Sequence, residues 1–350
     1  MALQETDPSS VGQINISTIL SDPRVRQDSK VIDGKTYGYL VAEPDNGYKR
    51  TVFLIHGFPH LSISWMYQIP LFLRLGFRVI CPDCMGYGRS DAPTGTIVPY
   101  SFKSHADDFV VLLKQLGCQD IILGGHDWGA VIASRMVLYH PSFVTHYFAF
   151  AIPYIPPRPG WVETKTLVKA FPSLAYQLQL GSEDGIVEAH TQSKEEIRLF
   201  LNAAYDAHTP DGQYALDVTR GVDFDLLPSF EPTKLLQKQD MDYFVDEYSR
   251  NGLRGPCNYY RTRRQNFLDE EALIKQGKDA SVIKCPMLFV RATAEHAVTT
   301  EIVERMKPFT ANLTLKEVDS GHWVLWEKPA VVNSILVDWM EQEGLIELRN

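Results

Sequence analysis

The sequence predicts an α/β fold, in which a mostly parallel central sheet carries helices on both faces and a helical lid is inserted into the chain. Short apolar strands alternate with helical stretches from Lys35 onwards, and the same alternation returns near the C-terminus. Between about Pro157 and Arg264 the apolar residues instead keep helical spacing without strands. We therefore expect a core formed by residues 1–156 and 265–350, with a lid formed by residues 157–264.

The individual elements follow from short apolar runs and from helical periodicity. The predicted strands are Tyr37–Ala42, Thr51–Ile55, Arg78–Cys81, Asp120–Leu123, His146–Ala151, Pro286–Arg291 and Leu313–Val318. The predicted core helices are Phe102–Leu116, Gly129–Tyr139, Thr300–Met306 and Pro329–Glu341. The first thirty residues are polar and aperiodic, and only a short helix near Ile14–Leu20 is expected there.

The lid is recognised by its helix boundaries. The proline-rich run Ile155–Gly160 predicts a rigid segment at the point where the chain leaves the sheet. Ser193 and Glu196 form a capping box ahead of the helix Ile197–Tyr205, and Gly252 ends a helix that starts near Met241. We expect this lid to cover the carboxyl ends of the strands, where open α/β sheets bind ligands.

The composition excludes several classes of protein. A hydrophobic content of 45%, a charged content of 22% and a formal charge of −9 fit a globular protein and argue against nucleic-acid or anionic-membrane partners. No run could span a bilayer and neither end carries a targeting signal, so a cytoplasmic location is expected. The five cysteines are odd in number and spread out, and the C-x-x-C at Cys81–Cys84 lacks a partner pair, so we expect structural thiols, no metal and no cofactor.

The most informative residue is Asp127. The sequence Gly125-His-Asp-Trp-Gly129 has the frame of a nucleophile elbow, a sharp turn from strand to helix, with a carboxylate where a serine is common. A carboxylate needs no base before it attacks, and it can displace a leaving group at a saturated carbon. The product would be an ester of Asp127, which points to epoxides or alkyl halides as substrates. An ordinary esterase is disfavoured, because attack on an ester carbonyl would give an anhydride.

Two further segments complete the pattern. His322 follows the last predicted strand, in the order nucleophile, acid, histidine of the α/β-hydrolase fold, and would activate the water that cleaves the ester. His56-Gly-Phe-Pro59 follows the strand Thr51–Ile55. We expect the backbone N–H groups of Phe58 and Trp128 to form an oxyanion hole.

Together, His56-Gly-Phe-Pro59, Gly125-His-Asp-Trp-Gly129 and Gly321-His-Trp323 resemble the soluble epoxide hydrolase family over roughly residues 35 to 345. The resemblance implies two lid tyrosines that hold and protonate the epoxide oxygen. The segments around Tyr176 and around Gly255–Arg261 resemble the family's two tyrosine segments and assign these roles to Tyr176 and to Tyr260 rather than Tyr259. Two phenols suit a leaving alkoxide, which needs hydrogen-bond donors and a proton.

The sequence departs from the family at the acid that supports His322, because the family usually places an aspartate after the strand Met287–Val290. The sequence there is Arg291-Ala-Thr-Ala-Glu-His-Ala-Val298. One alignment places Glu295 in the acid's position, and another places His296 there, which could not act as a carboxylate. We favour Glu295; the alternative is that the acid is absent.

The sequence therefore predicts an epoxide hydrolase that acts on a small hydrophobic epoxide with water. A haloalkane dehalogenase would use the same Asp127 and His322, but a halide leaves without a proton, so the two tyrosines favour the epoxide. If the supporting acid is absent, an enzyme that opens epoxides with an internal nucleophile, or a ligand-binding protein without catalysis, becomes the alternative.

Overall fold

The computed structural model of the chain describes residues 14–209, 211–295 and 297–347. Its strands are β1 Val25–Ile32, β2 Lys35–Ala42, β3 Thr51–Ile55, β4 Arg78–Pro82, β5 Ile121–His126, β6 Val144–Phe150, β7 Leu216–Asp217, β8 Gly221–Val222, β9 Ile283–Ala292 and β10 Thr310–Val318. All except β7 and β8 form one eight-stranded sheet in the order β1-β2-β4-β3-β5-β6-β9-β10.

Most of this sheet is parallel. The pairs β3–β4, β3–β5, β5–β6, β6–β9 and β9–β10 are parallel, whereas β1–β2 and β2–β4 are antiparallel. Every residue of β3, β4 and β5 is buried, as expected for central strands that are covered on both faces. The predicted mostly parallel α/β sheet is thus confirmed.

Helices flank the sheet and fill the interval between β6 and β9. They are α1 Ile16–Leu20, α2 Ile69–Arg74, α3 Phe102–Gln115, α4 Trp128–Tyr139, α5 Thr164–Ala170, α6 Tyr176–Leu180, α7 Ile186–Ala189, α8 Lys194–Ala204, α9 Lys238–Asn251, α10 Arg254–Arg261, α11 Arg263–Lys275, α12 Thr300–Met306, α13 Val324–Glu327 and α14 Pro329–Gln342. In the core, α3 packs against α4, and α4 lies against β5 and β6. No helix in the described part of the chain is long and apolar enough to cross a membrane.

The lid helices begin and end much as the sequence predicts. Ser193 caps α8 in a capping box with Glu196, and Gly252, at a φ of 66°, ends α9. Helix α9 begins at Lys238, about a turn before the predicted start at Met241. Helix α11 runs across residue 264, where the lid was predicted to end.

Two expectations about strands are wrong. Strand β1 lies in the segment that was expected to be aperiodic. It pairs only with β2 at the edge of the sheet, and it buries only its two end residues, Val25 and Ile32, so it lacks the apolar signature of a central strand. The lid was also predicted to contain no strands, but β7 and β8 form an antiparallel pair of two residues each, which is too short to give a periodic pattern.

The parallel strands bring four segments to one edge of the sheet. Residue His56 follows β3, Asp127 follows β5, Glu295 lies on the loop after β9, and His322 lies on the loop after β10. Because these strands are parallel, their carboxyl ends meet at the same edge. The candidate residues of the core therefore converge there.

Candidate active site

Asp127 occupies a sharp turn between β5 and α4. Its backbone has a φ of 55° and a ψ of −127°, which is unusual for a residue with a side chain and costs on the order of 1–3 kcal/mol. The turn brings α4 against β3, where a Cβ on Gly129 would lie 2.1 Å from the carbonyl oxygen of Ile55. A glycine is therefore required at this close approach, and the elbow holds the carboxylate of Asp127 at the edge of the sheet.

Backbone donors point at this carboxylate. The N–H of Phe58 donates to Asp127 Oδ1 at 2.8 Å, and the N–H of Trp128, the next residue in the chain, lowers the pKa of the same carboxyl. The approach requires a glycine at position 57, because a Cβ there would lie 2.3 Å from the same Oδ1. Of the two N–H groups that the sequence assigned to an oxyanion hole, that of Phe58 forms a hydrogen bond to the carboxylate.

His322 connects Asp127 to Glu295. Its Nε2 lies 3.5 Å from Asp127 Oδ2, and its Nδ1 bonds to Glu295 Oε2. The other oxygen of Glu295 accepts from the N–H of Ala297 at 2.7 Å, which fixes the carboxylate on its loop. The alternative acid position, His296, lies outside the described residues.

A second glutamate holds the loop that carries the histidine. Glu327, on α13, accepts from the N–H of Gly321 at 2.8 Å and from the N–H of Trp323 at 3.1 Å. These are the two neighbours of His322 along the chain. The backbone on both sides of the imidazole is thereby tied to one helix.

The charges of this cluster are strongly coupled. Burial disfavours the charged imidazole, but the carboxylates of Glu295 and Asp127 outweigh it and raise the pKa of His322 to about 9. Although burial alone would raise the pKa of Glu295, His322 and the hydrogen bonds lower it to about 2. Burial raises the pKa of Asp127 above its ordinary value, and His322 and the two backbone N–H groups oppose this rise. The arrangement therefore favours a protonated His322 beside two carboxylates.

Two tyrosines from the helices between β6 and β9 lie close to this cluster. Tyr176 begins α6 and Tyr260 lies on α10, and their ring centroids are 6.1 Å apart with the planes at 76°. The ring of Tyr260 also packs edge-on against Phe58 at 5.5 Å and Trp128 at 5.3 Å. Burial raises the pKa of both tyrosines, and the nearby charge of Asp127 raises it further. Both phenols therefore carry their proton near the carboxylate.

The adjacent Tyr259 lies elsewhere. Its hydroxyl donates to the carbonyl oxygen of Met85 at 2.9 Å and lies 2.8 Å from Nε2 of His105, inside the core. The structure thus places Tyr260, and not Tyr259, beside the elbow, as the sequence segment implied.

Sequence reasoning missed a link between lid and core. The hydroxyls of Tyr205 and Tyr248, from two lid segments, both donate to the carbonyl oxygen of Pro59, at 2.9 and 2.8 Å. Pro59 follows Phe58, so these bonds fix the loop that supplies the N–H donor to Asp127. No local pattern marks these tyrosines, because the link depends on how the lid packs.

A further carboxylate was also missed. Asp206 follows α8 with a φ of 60°, and burial raises its pKa to about 6, which the charge of His322 opposes. Asp206 therefore adds a third carboxylate to the electrostatic surroundings of His322. Sequence reasoning missed Asp206 because its burial and its positive φ are visible only in the structure.

The cysteines form no disulfide. All five are free, and Cys81 and Cys84 are buried, which raises the pKa of both thiols well above the ordinary value. Among the described residues, no group of three or more His, Cys, Asp or Glu side chains is arranged to hold a metal ion.

An elbow between strand and helix, a histidine after the last strand and an acid after the preceding strand define an α/β hydrolase, here with an aspartate at the elbow. A model of the alpha/beta hydrolase fold family matches residues 50–329. Epoxide hydrolase srdG of Neurospora crassa is 36% identical over 333 residues, which cover 92% of this chain and 97% of the relative. The chain therefore belongs to the epoxide hydrolase family of the α/β-hydrolase fold.

Other relatives agree with this assignment. Bifunctional epoxide hydrolase 2 of Sus scrofa is 30% identical over 336 residues, which cover 93% of this chain and 59% of the relative. The solved structure of an epoxide hydrolase from an endophytic Streptomyces superposes with a TM-score of 0.78 at 24% identity, covering 93% of this chain and 98% of that one. At that identity the structural likeness bears on the fold alone.

Proposed function

We propose that this protein hydrolyses an apolar epoxide to a vicinal diol through an ester on Asp127. The observation that carries the proposal is the position of the Asp127 carboxylate, which lies between a backbone N–H and the imidazole of His322, with two lid phenols close by. The epoxide hydrolases among the relatives support the choice of reaction.

In the first step, Asp127 Oδ2 attacks a ring carbon of the epoxide. The new C–O ester bond forms as the ring C–O bond breaks, and Tyr176 or Tyr260 gives its proton to the departing oxygen. Asp127 Oδ1 accepts from the N–H of Phe58, so this oxygen becomes the ester carbonyl oxygen. The N–H of Phe58 can then donate to this oxygen when it becomes negatively charged in the second step.

Before the second step, the phenolate regains its proton and His322 gives up its own, so that the imidazole becomes neutral. Water then attacks the ester carbon while His322 takes a proton from the water. The tetrahedral oxyanion collapses with loss of the diol, which receives this proton from His322. Asp127 keeps the oxygen that came from water as a carboxylic acid, whose proton passes to His322 and restores the resting carboxylate and imidazolium. Glu295, bonded to His322 Nδ1, stabilises the imidazolium during this step. Its position supports hydrolysis over the internal opening or the non-catalytic binding that a missing acid would have favoured.

The apolar character of the substrate is inferred from the surroundings of the elbow. The rings of Phe58 and Trp128 each pack edge-on against Tyr260 there, and the ring centroid of Phe200 lies 6.2 Å from that of Phe58. Aromatic side chains around a binding site favour an apolar substrate. The two phenols also favour an epoxide over an alkyl halide, whose leaving group needs no proton.

The covalent step is tested by a single turnover of styrene oxide in oxygen-18 water. Label is expected on the peptide that contains Asp127, and Asp127→Asn should remove both the label and diol formation. Unlabelled Asp127 after a completed turnover, or full activity of Asp127→Asn without reversion of the amide, would refute the ester mechanism.

The choice of leaving group is tested separately. Diol formation from styrene oxide and halide release from 1-bromobutane are measured on the same preparation, with Tyr176→Phe and Tyr260→Phe as variants. We expect diol formation that falls in both variants, with Tyr259→Phe as the matched control that keeps the rate of ring opening. Halide release that exceeds diol formation and survives both substitutions would instead establish a dehalogenase.

A further inference from the structure

A short polar chain leads from the lid to the hydroxyl of Tyr176. Arg263 Nη2 donates to Gln177 Oε1 at 3.1 Å, and Gln177 Nε2 lies 3.4 Å from the oxygen of Tyr176. The side chain of Gln177 is buried, with the residue only 7% exposed, although an amide is costly to bury without partners. The two contacts supply these partners.

The order of donors fixes the direction of each hydrogen bond. An arginine side chain has donors and no acceptor, so the carbonyl of Gln177 must face Arg263 and its NH₂ group must face the phenol. Tyr176 therefore accepts a hydrogen bond from Gln177. Its own O–H proton is left to be donated in another direction.

Arg263 is placed to strengthen this arrangement. It lies three residues after Tyr260, on the same side of a nearly continuous helical segment. Among the described residues, the ionisable groups that act on its guanidinium are Arg158 and Tyr176 rather than a carboxylate, and its buried Nε has no hydrogen-bond partner. Its positive charge is therefore not neutralised locally, and it polarises the amide of Gln177.

The electrostatics around the phenol agree with this direction. Burial and the charge of Asp127 raise the pKa of Tyr176, whereas the hydrogen bond from Gln177 and the charge of Arg263 oppose the rise. The ionisable groups that act on Tyr176 come from the core and from two lid helices, and they are Asp127, Glu295, Tyr260 and Arg263. Gln177 is not ionisable, but it donates a hydrogen bond to the phenol oxygen of Tyr176.

We propose that Gln177, oriented by Arg263, is a positioning residue that aims the O–H of Tyr176 at the epoxide oxygen and stabilises the phenolate formed when that proton is given up. This inference rests on the proposed function. In the step concerned, the ring C–O bond breaks, the Asp127 ester bond forms, and the Tyr176 proton moves to the epoxide oxygen. The side-chain N–H of Gln177 donates a hydrogen bond to the phenol oxygen and so stabilises the negative charge left there.

The test isolates ring opening in a His322→Gln background, in which the Asp127 ester is expected to accumulate. Formation of the styrene oxide adduct on Asp127 is followed by quenched-flow mass spectrometry with and without Gln177→Leu. The rate at saturation is expected to fall about tenfold or more, because a hydrogen bond to a charged oxygen is lost. The half-saturating concentration is expected to change by less than about twofold.

Gln179→Leu is the matched control. Gln179 lies two residues further along α6, and its amide bonds to the N–H and the carbonyl oxygen of Val222 instead of the phenol. The substitution Gln179→Leu removes the same amide group from the same helix, and we expect a ring-opening rate within about twofold of that of the His322→Gln parent. An equal loss in both variants would overturn the specific role of Gln177.

Gln177→Glu separates positioning from packing. A carboxylate keeps the size of the side chain and pairs with Arg263, so a merely structural role predicts better activity than that of Gln177→Leu. The positioning role predicts worse activity, because the carboxylate can only accept the Tyr176 proton and turns it away from the substrate. A ring-opening rate of Gln177→Glu at or above that of Gln177→Leu would therefore contradict the proposal.

The contribution of Arg263 is tested by Arg263→Met against Arg264→Met, since Arg264 is exposed and stacks on Trp161 at 5.1 Å. Only Arg263→Met should slow ring opening, and its effect should be less than additive with that of Gln177→Leu. If the His322→Gln parent forms no adduct at all, the proposed function fails with this inference. If the parent forms the adduct and Gln177→Leu does so at the same rate, the inference alone fails.

Discussion

Replacing Glu295 by glutamine removes the charge beside His322 Nδ1 but keeps a carbonyl that can accept its hydrogen. The pKa of His322 lies at about 9 instead of 6.5 because, although burial opposes the imidazolium, the carboxylates of Glu295 and Asp127 favour it. This difference corresponds to about 3 kcal/mol in favour of the charged ring. Glu295 makes the direct hydrogen bond and the larger contribution, so its loss should slow hydrolysis of the ester up to about 100-fold.

Intact-protein mass spectrometry measures this effect directly. During turnover of styrene oxide, Glu295→Gln is expected to carry an adduct on Asp127 at steady state, while its rate of ring opening stays close to that of the unaltered protein. Glu317→Gln serves as a control, because Glu317 is an exposed glutamate that pairs with Arg291 at the end of β10. Full turnover by Glu295→Gln with no adduct would refute the assignment of Glu295 as the supporting acid.

The same substitution, Glu295→Gln, tests how the free energy of unfolding depends on pH. The folded pKa of His322, about 9, lies above its ordinary value of 6.5, so the stabilisation is fully present below pH 6.5 and is lost as the pH rises through 9. The free energy of unfolding of the unaltered protein should therefore exceed that of Glu295→Gln near pH 6.5. The difference, measured by urea unfolding, should shrink towards pH 9.5; a constant difference would show that the charge of His322 is not responsible.

Three further predictions concern neighbouring residues. Asp127→Asn should lower the pKa of His322 from about 9, measured by NMR titration, because one of its carboxylate neighbours is lost. Asp206→Asn should change turnover only above about pH 6, where its carboxyl is ionised, and a pH-rate profile that differs from that of the unaltered protein equally at pH 5 would contradict this. Gly57→Ala should abolish adduct formation, since its Cβ would lie 2.3 Å from Asp127 Oδ1, whereas Gly95→Ala, with open space around it, should not.

The sequence predicted the fold where strands are buried and helices are capped. Strands such as β3 and β5 are buried throughout and begin or continue in apolar runs, and the capping box at Ser193 marks α8 directly. The edge strand β1 escaped prediction because only its two end residues are buried, so hydrogen bonds to β2 hold it in the sheet without any apolar pattern. Apolar periodicity in a sequence reflects which side chains are buried, so an edge strand with few buried side chains shows little of it.

The same distinction applies to the site. Asp127, Glu295 and His322 each follow a strand, so the order of elements along the chain was enough to bring them to one edge of the sheet. The position of Asp206 and the bonds to Pro59 depend on how the lid helices pack over that edge, which no local pattern encodes. Residues placed by topology were predictable from the order of elements, whereas of the residues placed by packing only Tyr176 and Tyr260 were predicted, through the resemblance of their segments to a known family.

The charges of the resting site also set the order of the proposed steps. While Asp127 and Glu295 are both ionised, they hold the proton on His322, so the imidazole cannot take a proton from water at neutral pH. Formation of the ester removes the charge of Asp127, and the pKa of His322 must then fall because one of its supporting carboxylates has become neutral. In the proposed mechanism, His322 therefore becomes a base only once there is an ester to hydrolyse. Under this mechanism, activation of water is coupled to formation of the covalent intermediate through the charge of Asp127.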